Sequence, residues 1–437
     1  MFASGMLGPF VASVTFGFAL PIYSLGFGAD LAVLGNIVTC IALWDAINDV
    51  VIGYAQDKEA LARCFPKSRW GRRAPWYALH LPVLALCTLA VLTPPTLSSP
   101  GIYVWFAVVS FVAKWAYTCC MSAAQAASVE LYPFKEERMI NEAFNIPFAW
   151  VGAMAAVVVQ GVMISSASSA DSELCPEDHN VDDGGAPNPN AGAYSGLALA
   201  ALCLVSFVAV PLMRGARAPS DADLVGLFTA FVRECVRQRA VVLLVIFRVV
   251  RNFGDGLKLS TYSFYLTFVS EEKRDSSFFI LVPVAGMLTQ ICMGIFWGKV
   301  LSGGGGDEEK QKWYRDVRLL AVAGLCLNMV IATAVLASTT SGAGFVLAYV
   351  ADRIFTSPVG FFYTAARGWV IDEDAHRAEG GGKRRREGLF IGLIMLCDNM
   401  VGILTSLATT GVAWAGIDTK KCWGKPRLLH RTTTTPH

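Results

Sequence analysis

The chain reads LAVLGNIVTCIALWDAINDVVIGYAQD from residue 31 to residue 57, an apolar stretch that contains two carboxylates, Asp45 and Asp49. Such a stretch is long enough to cross a bilayer as a helix. Because the two carboxylates are four residues apart, they lie on one helix face. Each charge at membrane depth costs about 2.5 to 3.5 kcal/mol. The pair therefore predicts a compensating cation, proton or basic side chain, and the alternative is a structural polar cluster.

The composition is that of a polytopic membrane protein. Of the 437 residues, 54% are hydrophobic and 16% are charged, whereas a soluble domain carries about 25% charge. The net charge is only +2, so nucleic acid is not an expected partner. The cysteine spacing predicts no metal site, and the glycine runs are not phosphate loops. We therefore expect neither an enzyme nor a nucleotide-driven pump.

A window of about 20 residues, the length that spans hydrocarbon, identifies eleven apolar segments. They lie at residues 7–28, 31–55, 75–94, 100–124, 143–165, 193–213, 241–268, 277–300, 317–338, 343–368 and 388–415. The predicted domains are an N-terminal half (1–213), a linker (214–240) with a helical tract near 224–236, a C-terminal half (241–416) and an atypical polar tail (417–437).

Basic residues are concentrated in every second loop. By the positive-inside rule these loops, and with them the N-terminus, are predicted to be cytoplasmic. The tail breaks the pattern, because Lys420 and Lys421 would follow an eleventh span to the opposite side. Either a twelfth span is missing, or the tail is a product of alternative splicing or of annotation.

Residues 44–49 (WDAIND), then Gly53 and Asp57, then residues 68–76 (SRWGRRAPW), resemble the second span and following loop of the glycoside-pentoside-hexuronide:cation symporters. This melibiose permease-like family belongs to the major facilitator superfamily and is distantly related to lysophospholipid symporters. Glu130 with Arg138, and residues 385–388 (RREG), resemble two further blocks. The resemblance extends from about residue 8 to residue 412. It implies an all-α integral membrane fold of two six-helix halves that alternate access to a central solute site.

By this resemblance the cation-coupling residues are Asp45, Asp49 and Asn48, the coupling ion is H+ or Na+, and no other cofactor is expected. The implied cytoplasmic gate consists of Asp57, Arg69, Arg72, Arg73 and Arg138. In two places the chain departs from the family. Met121 stands where the family has a third acidic residue, and Asn399 stands where it usually has lysine. Because a thioether is a poor ligand for a hard cation, Met121 favours protons over sodium.

The spans also carry charges particular to this chain. The candidate solute-binding residues are Lys114, Arg248, Arg251, Asp255, Lys258, Asp352, Arg353, Asp398 and Asn399. Lys114 either reaches the carboxylates of the second span or snorkels to the membrane surface. The stripe in the seventh span either joins helices or contacts solute. Its three positive charges face Asp255 alone, which favours contact with an anionic solute.

The predicted function is cation-coupled symport of a sugar, glycoside or related organic solute. A lysophospholipid or another anionic or zwitterionic solute is one alternative. A non-transporting membrane scaffold or truncated isoform is another, because the second half looks incomplete. The expected partners are a small-molecule solute, a monovalent cation and membrane lipid. We expect a monomer in the plasma membrane or an organelle membrane.

Overall fold

The computed structural model describes residues 2–27, 29–61, 63–95, 99–132, 134–168, 189–214, 238–264, 278–302, 316–338, 341–377 and 387–414. Within these ranges the regular secondary structure is helical and contains no strand. The polar tail at 417–437 and the helical tract predicted near 224–236 lie outside the described residues.

A long helix is present at each of the eleven predicted spans. The first six are α1 (Leu7–Gly26), α2 (Leu31–Asp57), α3 (Ala74–Leu92), α4 (Ser99–Leu131), α5 (Lys135–Ser168) and α6 (Pro189–Val205), the last continuing through a 3-10 turn into Val210–Met213. The other five are α7 (Arg239–Phe264), α8 (Phe278–Ser302), α9 (Val317–Ser338), α10 (Gly342–Arg377) and α11 (Glu387–Trp414).

Three of these helices are longer than their apolar segments. α4 and α10 continue past the predicted ends, and α5 begins eight residues before its predicted start at residue 143. The added turns carry charged residues such as Glu142 and Asp372, which a hydropathy window excludes although they continue the helix. Among the described residues, seven helices are long and apolar enough to cross a membrane. α7 is not one of them, because Arg248, Arg251 and Asp255 interrupt it.

The eleven helices form two halves with related packing. In the first half, α3 packs on α4 and α6, α1 packs on α5, and α2 packs on α4. In the second half, α10 packs on α8 and α9, and α7 packs on α11. The halves meet mainly through two helix pairs, α2 with α11 and α5 with α8. This arrangement makes the interface between the halves the natural place for a central site.

One glycine permits a close approach between α2 and α11. A Cβ atom on Gly392 of α11 would lie 2.6 Å from the carbonyl oxygen of Asp49 on α2. Any larger residue would push the two helices apart, because packed interiors leave no room for added atoms. The backbone of α11 therefore lies directly against the carboxylate-bearing turn of α2.

The helix ends that flank the predicted basic loops lie at one end of the bundle. The even-numbered helices α2, α4, α6, α8 and α10 end there, and α3, α5, α7, α9 and α11 begin there. We call this end the basic-loop face.

Candidate cation and solute site

The centre of the site is the pair of carboxylates on α2. Asp45 is 2% exposed and Asp49 is fully buried. The hydroxyl oxygen of Thr118, on α4, lies 3.0 Å from Oδ1 of Asp45 and 2.9 Å from Oδ1 of Asp49. A hydroxyl has one hydrogen and can donate to only one of these oxygens. Both contacts are hydrogen bonds at the same time only when one carboxyl carries a proton and donates it to Thr118.

Lys114 reaches the carboxylates of α2. This contact is one of the two interpretations of Lys114 that the sequence left open. Its Nζ lies 2.9 Å from Oδ2 of Asp45, and a third of the lysine side chain is exposed (33%). The same Nζ lies 5.3 Å from the centre of the Tyr117 ring. The lysine therefore pairs with Asp45, one of the two carboxylates, and also faces an accessible space.

Asn399 keeps a contact between α11 and the carboxylates. Its Nδ2 donates to Oδ2 of Asp49 at 2.6 Å. An amide in place of the usual lysine thus retains a hydrogen bond but supplies no positive charge. This bond joins the two halves.

Two other residues near the pair differ in what they offer a cation. Asn48 is 1% exposed, and neither polar atom of its side chain has a hydrogen-bond partner among the described protein atoms. Such a buried amide is suited to a ligand. Met121 is buried in an apolar cluster with Cys119 and Ala123. It supplies no oxygen ligand at the position where the family has an acidic residue.

Arg248 has a carboxylate partner on α11, which a count of the charges along α7 did not include. Its Nε lies 2.9 Å from Oδ1 of Asp398, its Nη2 lies 2.9 Å from Oδ2, and Nδ2 of Asn252 lies 2.5 Å from Oδ1. The guanidinium also lies 4.3 Å from the centre of the Tyr363 ring. The argument that Asp255 alone opposes the positive charges of α7 is therefore wrong, because α11 supplies a second carboxylate.

The other candidate solute-binding charges of the second half that the structure describes have partners within that half. Arg251 donates to Asp255 one turn along α7 at 2.7 Å. On α10, Asp352 accepts from Asn328 of α9 at 2.8 Å, and Arg353 donates to the Tyr349 hydroxyl at 2.8 Å. The side chain of Lys258 lies outside the described part of the chain.

The predicted gate residues form two separate networks. Nη2 of Arg73 lies 2.7 Å from Asp57 and 2.8 Å from Glu130, and Arg72 also donates to Glu130. These contacts join α2, α3 and α4 of the first half. Arg138 instead contacts Asp372 of α10 at 2.9 Å and so crosses between the halves. Arg69 is exposed, and its side chain is in neither network among the described contacts.

Comparison with known proteins assigns the chain to a family. The sequence profile of the family described as MFS/sugar transport protein matches residues 1–433. The chain belongs to this family. Its members are transporters, so the protein is a membrane transporter and not an enzyme, and both the predicted resemblance and the all-helical fold are confirmed.

Individual relatives of this MFS protein are distant. A sodium-dependent lysophosphatidylcholine symporter of Danio rerio is 24% identical over 164 residues, which is 36% of this chain and 29% of that protein. An uncharacterized symporter of Synechocystis is 24% identical over 165 residues, again 36% and 29%. The chain thus matches less than a third of either relative. The E. coli fucose:proton symporter superposes with a TM-score of 0.60 at 14% identity, covering 95% of this chain and 91% of that one.

Several polar residues at the centre of this MFS protein were not predicted. Thr118 bridges the two carboxylates, and Arg367 of α10 donates to Gln125 of α4 at 2.8 Å across the halves. Glu142 lies just outside the predicted span at 143–165, and the earlier start of α5 places it in the helix. Arg367 lies inside the predicted span at 343–368 but was not among the predicted site residues.

Proposed function

We propose that the protein is a proton-coupled symporter of a small organic solute, with Asp45 and Asp49 as the coupling site. The observation that carries the proposal is that one lysine, Lys114, pairs with Asp45, whereas the neighbouring buried carboxylate Asp49 has no ion pair among the described contacts. Arg248 and Arg251, the two arginines in the middle of α7, each have a carboxylate of their own. The carboxylate pair therefore carries one excess negative charge, which one proton or one monovalent cation neutralises.

The geometry around the pair favours a proton over sodium. The Lys114 ammonium lies 2.9 Å from Asp45 and repels a second cation. Met121 offers no oxygen, whereas a proton needs only one carboxyl. Thr118 lies within hydrogen-bond distance of both carboxyls, an arrangement that fits one shared proton. Sodium is the second candidate, supported by the similarity to a sodium-dependent symporter of Danio rerio and by the buried amide of Asn48.

The Asn399 contact suggests how the ion is coupled to movement of the halves. A hydrogen bond to an ionised carboxylate is roughly twice as strong as one between neutral groups. Protonation of Asp49 therefore weakens the bond to Asn399 that joins α2 to α11. In this proposal the halves separate more easily when Asp49 is neutral, so ion binding permits the alternating movement.

The solute is proposed to be a sugar or glycoside. Pairing of Arg248 with Asp398 and of Arg251 with Asp255 removes much of the positive charge that favoured an anion. The indole rings of Trp44 and Trp115 stack at 6.1 Å beside Lys114 and offer an aromatic face to a sugar ring. An anionic or zwitterionic solute, such as a lysophospholipid, is the second candidate because the Arg248 side chain is 30% exposed.

We further propose that the basic-loop face and the N-terminus are cytoplasmic and that a monomer is sufficient. The positive-inside rule supports the orientation, and the presence of both halves in one chain supports the monomer.

The experiment is an uptake screen with purified protein in liposomes. Radiolabelled melibiose, glucuronide and lysophosphatidylcholine are offered under an inward proton gradient or an inward sodium gradient. We expect accumulation of a sugar that follows the proton gradient and is indifferent to replacing sodium with potassium. Sodium-stimulated uptake without pH dependence overturns proton coupling. If none of the three solutes is transported under either gradient, the result favours the alternative of a non-transporting membrane scaffold.

A further inference from the structure

Two arginines cross between the halves near the basic-loop face, and they differ in the groups that they bind. Arg138 of α5 contacts the carboxylate of Asp372 on α10 at 2.9 Å. Arg367 of α10 contacts an amide instead, because its Nη1 donates to Oε1 of Gln125 on α4 at 2.8 Å. One contact between the halves is therefore an ion pair, whereas the other holds a guanidinium against a neutral group.

The contact of Arg367 with Gln125 lies apart from the proposed coupling site. Gln125 follows Thr118 on α4 by two turns, which places it about 10 Å nearer the basic-loop face. Thr118 is the residue of α4 that lies between Asp45 and Asp49. Substitution of Arg367 therefore leaves the residues that touch the two carboxylates unchanged.

The Arg367 side chain is buried without a carboxylate beside it. Arg367 is 7% exposed, and its Nε has no hydrogen-bond partner among the described protein atoms. Within the described part of the chain, no carboxylate lies at ion-pair distance from its guanidinium. Glu142 of α5, whose charge also acts on Arg367, lies beyond that distance and is half-buried. The amide oxygen of Gln125 is thus the acceptor that replaces water around this cation.

The ring of Tyr363 compensates the charge of Arg367 only weakly. The guanidinium carbon of Arg367 lies 5.9 Å from the ring centre, at the outer limit of about 6 Å for a cation–π contact. The guanidinium carbon of Arg248 lies closer to the same ring, at 4.3 Å. Arg248 has Asp398 as an ion-pair partner. Arg367 therefore shares the ring with a second cation and lacks the carboxylate that this cation has.

We propose that Arg367 destabilises the closed state of the basic-loop face and so favours its opening. When the halves close, α4 covers Arg367, and one amide oxygen does not replace the water that its guanidinium loses. When the halves separate, water returns to the guanidinium and the cost is relieved. The Arg138–Asp372 pair acts in the opposite direction, because its attraction joins the halves.

This role of Arg367 has the opposite sign to that of a lock, meaning a residue whose attraction for the other half holds the face closed. Replacing buried charged groups by apolar side chains of similar size often stabilises a protein, whereas removing one partner of an attractive buried pair destabilises it. Arg367→Met should therefore make the closed state more stable. If Arg367 were a lock, the same variant would make it less stable.

The test measures hydrogen–deuterium exchange of the purified protein in lipid nanodiscs, without solute. The peptides 135–143 on α5 and 370–377 on α10 report closure, because they contain Arg138 and Asp372 and none of the substituted residues. Time courses run until the unmodified protein has exchanged fully, so slower exchange is measurable. Arg367→Met should slow the exchange of both peptides about tenfold.

Two variants of Gln125 separate the charge of Arg367 from its hydrogen bond. Gln125→Glu places a carboxylate where the amide oxygen now lies, 2.8 Å from Nη1 of Arg367, so exchange should also slow. Gln125→Leu removes the acceptor but leaves the buried charge, so exchange should become faster than in the unmodified protein. Gln125→Glu keeps the arginine and decides the question if Arg367→Met folds poorly.

Arg353→Met is the matched control. Arg353 lies on the same helix as Arg367 and is similarly buried, at 8% exposed. It donates to Tyr349 of its own helix and makes no described contact with the first half. Exchange of the two peptides should therefore be the same as in the unmodified protein.

Two patterns of exchange would overturn the proposal. Faster exchange in both Arg367→Met and Gln125→Leu would show that the contact is a lock. Unchanged exchange in both Arg367→Met and Gln125→Glu would show that the charge of Arg367 has no influence on closure. The experiment involves no transport, so its failure leaves the proposed function intact.

Discussion

Asp49 is the residue on which the proposed coupling depends most. It is buried, contacts Thr118, and receives the Asn399 hydrogen bond from the opposite half. Asp45 differs, because Lys114 already neutralises it. Neighbouring carboxylates on one helix face therefore have different roles, with Asp49 as the site that gains and loses the ion.

Asp49→Asn should abolish gradient-driven accumulation while solute exchange between the two sides of the membrane continues. Asparagine keeps the size and hydrogen bonding of the side chain but removes the charge that makes ion entry favourable. The measurement compares accumulation with counterflow for the solute found in the uptake screen, and Asp316→Asn, outside the membrane helices, is the control. Full accumulation by Asp49→Asn would mean that this residue is not part of the coupling site.

Lys114 and Met121 together should determine which ion is used. The double variant Lys114→Met with Met121→Asp removes the competing ammonium and adds a carboxylate on the same face of α4, so hard oxygen ligands replace a thioether. We expect sodium to stimulate uptake by this variant at least tenfold, whereas the unmodified protein does not respond. If the double variant folds and sodium does not stimulate its uptake, these two positions are not what excludes sodium.

At the scale of elements, α11 connects the two charged regions. Asp398 and Asn399 are consecutive, so they point in directions about 100° apart on the helix. One binds Arg248 of α7 and the other binds Asp49 of α2. A shift of α11 therefore changes both contacts together, which is how an ion on α2 can influence a solute contact on α7.

Arg248→Lys tests whether α7 touches the solute or only holds α11. Lysine keeps the charge but cannot reproduce the bidentate contact with Asp398. If an anionic solute is transported, its apparent affinity should fall about tenfold, while surface expression is retained. Arg251→Lys serves as the comparison, because Arg251 is paired within α7. Uptake confined to neutral sugars and unchanged by both variants means that the stripe is structural.

At the scale of the whole molecule, the halves meet through two helix pairs, and one of them is the close approach of α2 and α11. The approach is possible because Gly392 lies against the carbonyl oxygen of Asp49. Three polar contacts described above also join the halves: Asn399 with Asp49, Arg367 with Gln125, and Arg138 with Asp372. They lie at the depth of Asp49 or nearer the basic-loop face. The structure is therefore closed at the basic-loop face.

Gly392→Ala should impair closure of that face. The added methyl group would lie 2.6 Å from the Asp49 carbonyl oxygen, and overpacking of this kind costs about 1 to 3 kcal/mol. Gly402→Ala, on the same helix, is the control, because nothing lies within 4 Å of its added Cβ. We expect exchange of α2 and α11 amides to rise in Gly392→Ala only. Equal behaviour of the two variants would mean that this contact does not hold the halves together.

The sequence alone determined the helical membrane fold, the family and the ends of most helices. Hydrophobic length is a local property, and the motif at residues 44–49 is contiguous, so both are readable without a structure. The tertiary structure decided which charges neutralise each other. Asp398 reaches Arg248 from 150 positions away along the chain, and Arg367 reaches Gln125 from 242 positions away. Such pairings depend on how separate helices pack, and no local pattern encodes them, so a count of the charges along α7 did not include Asp398.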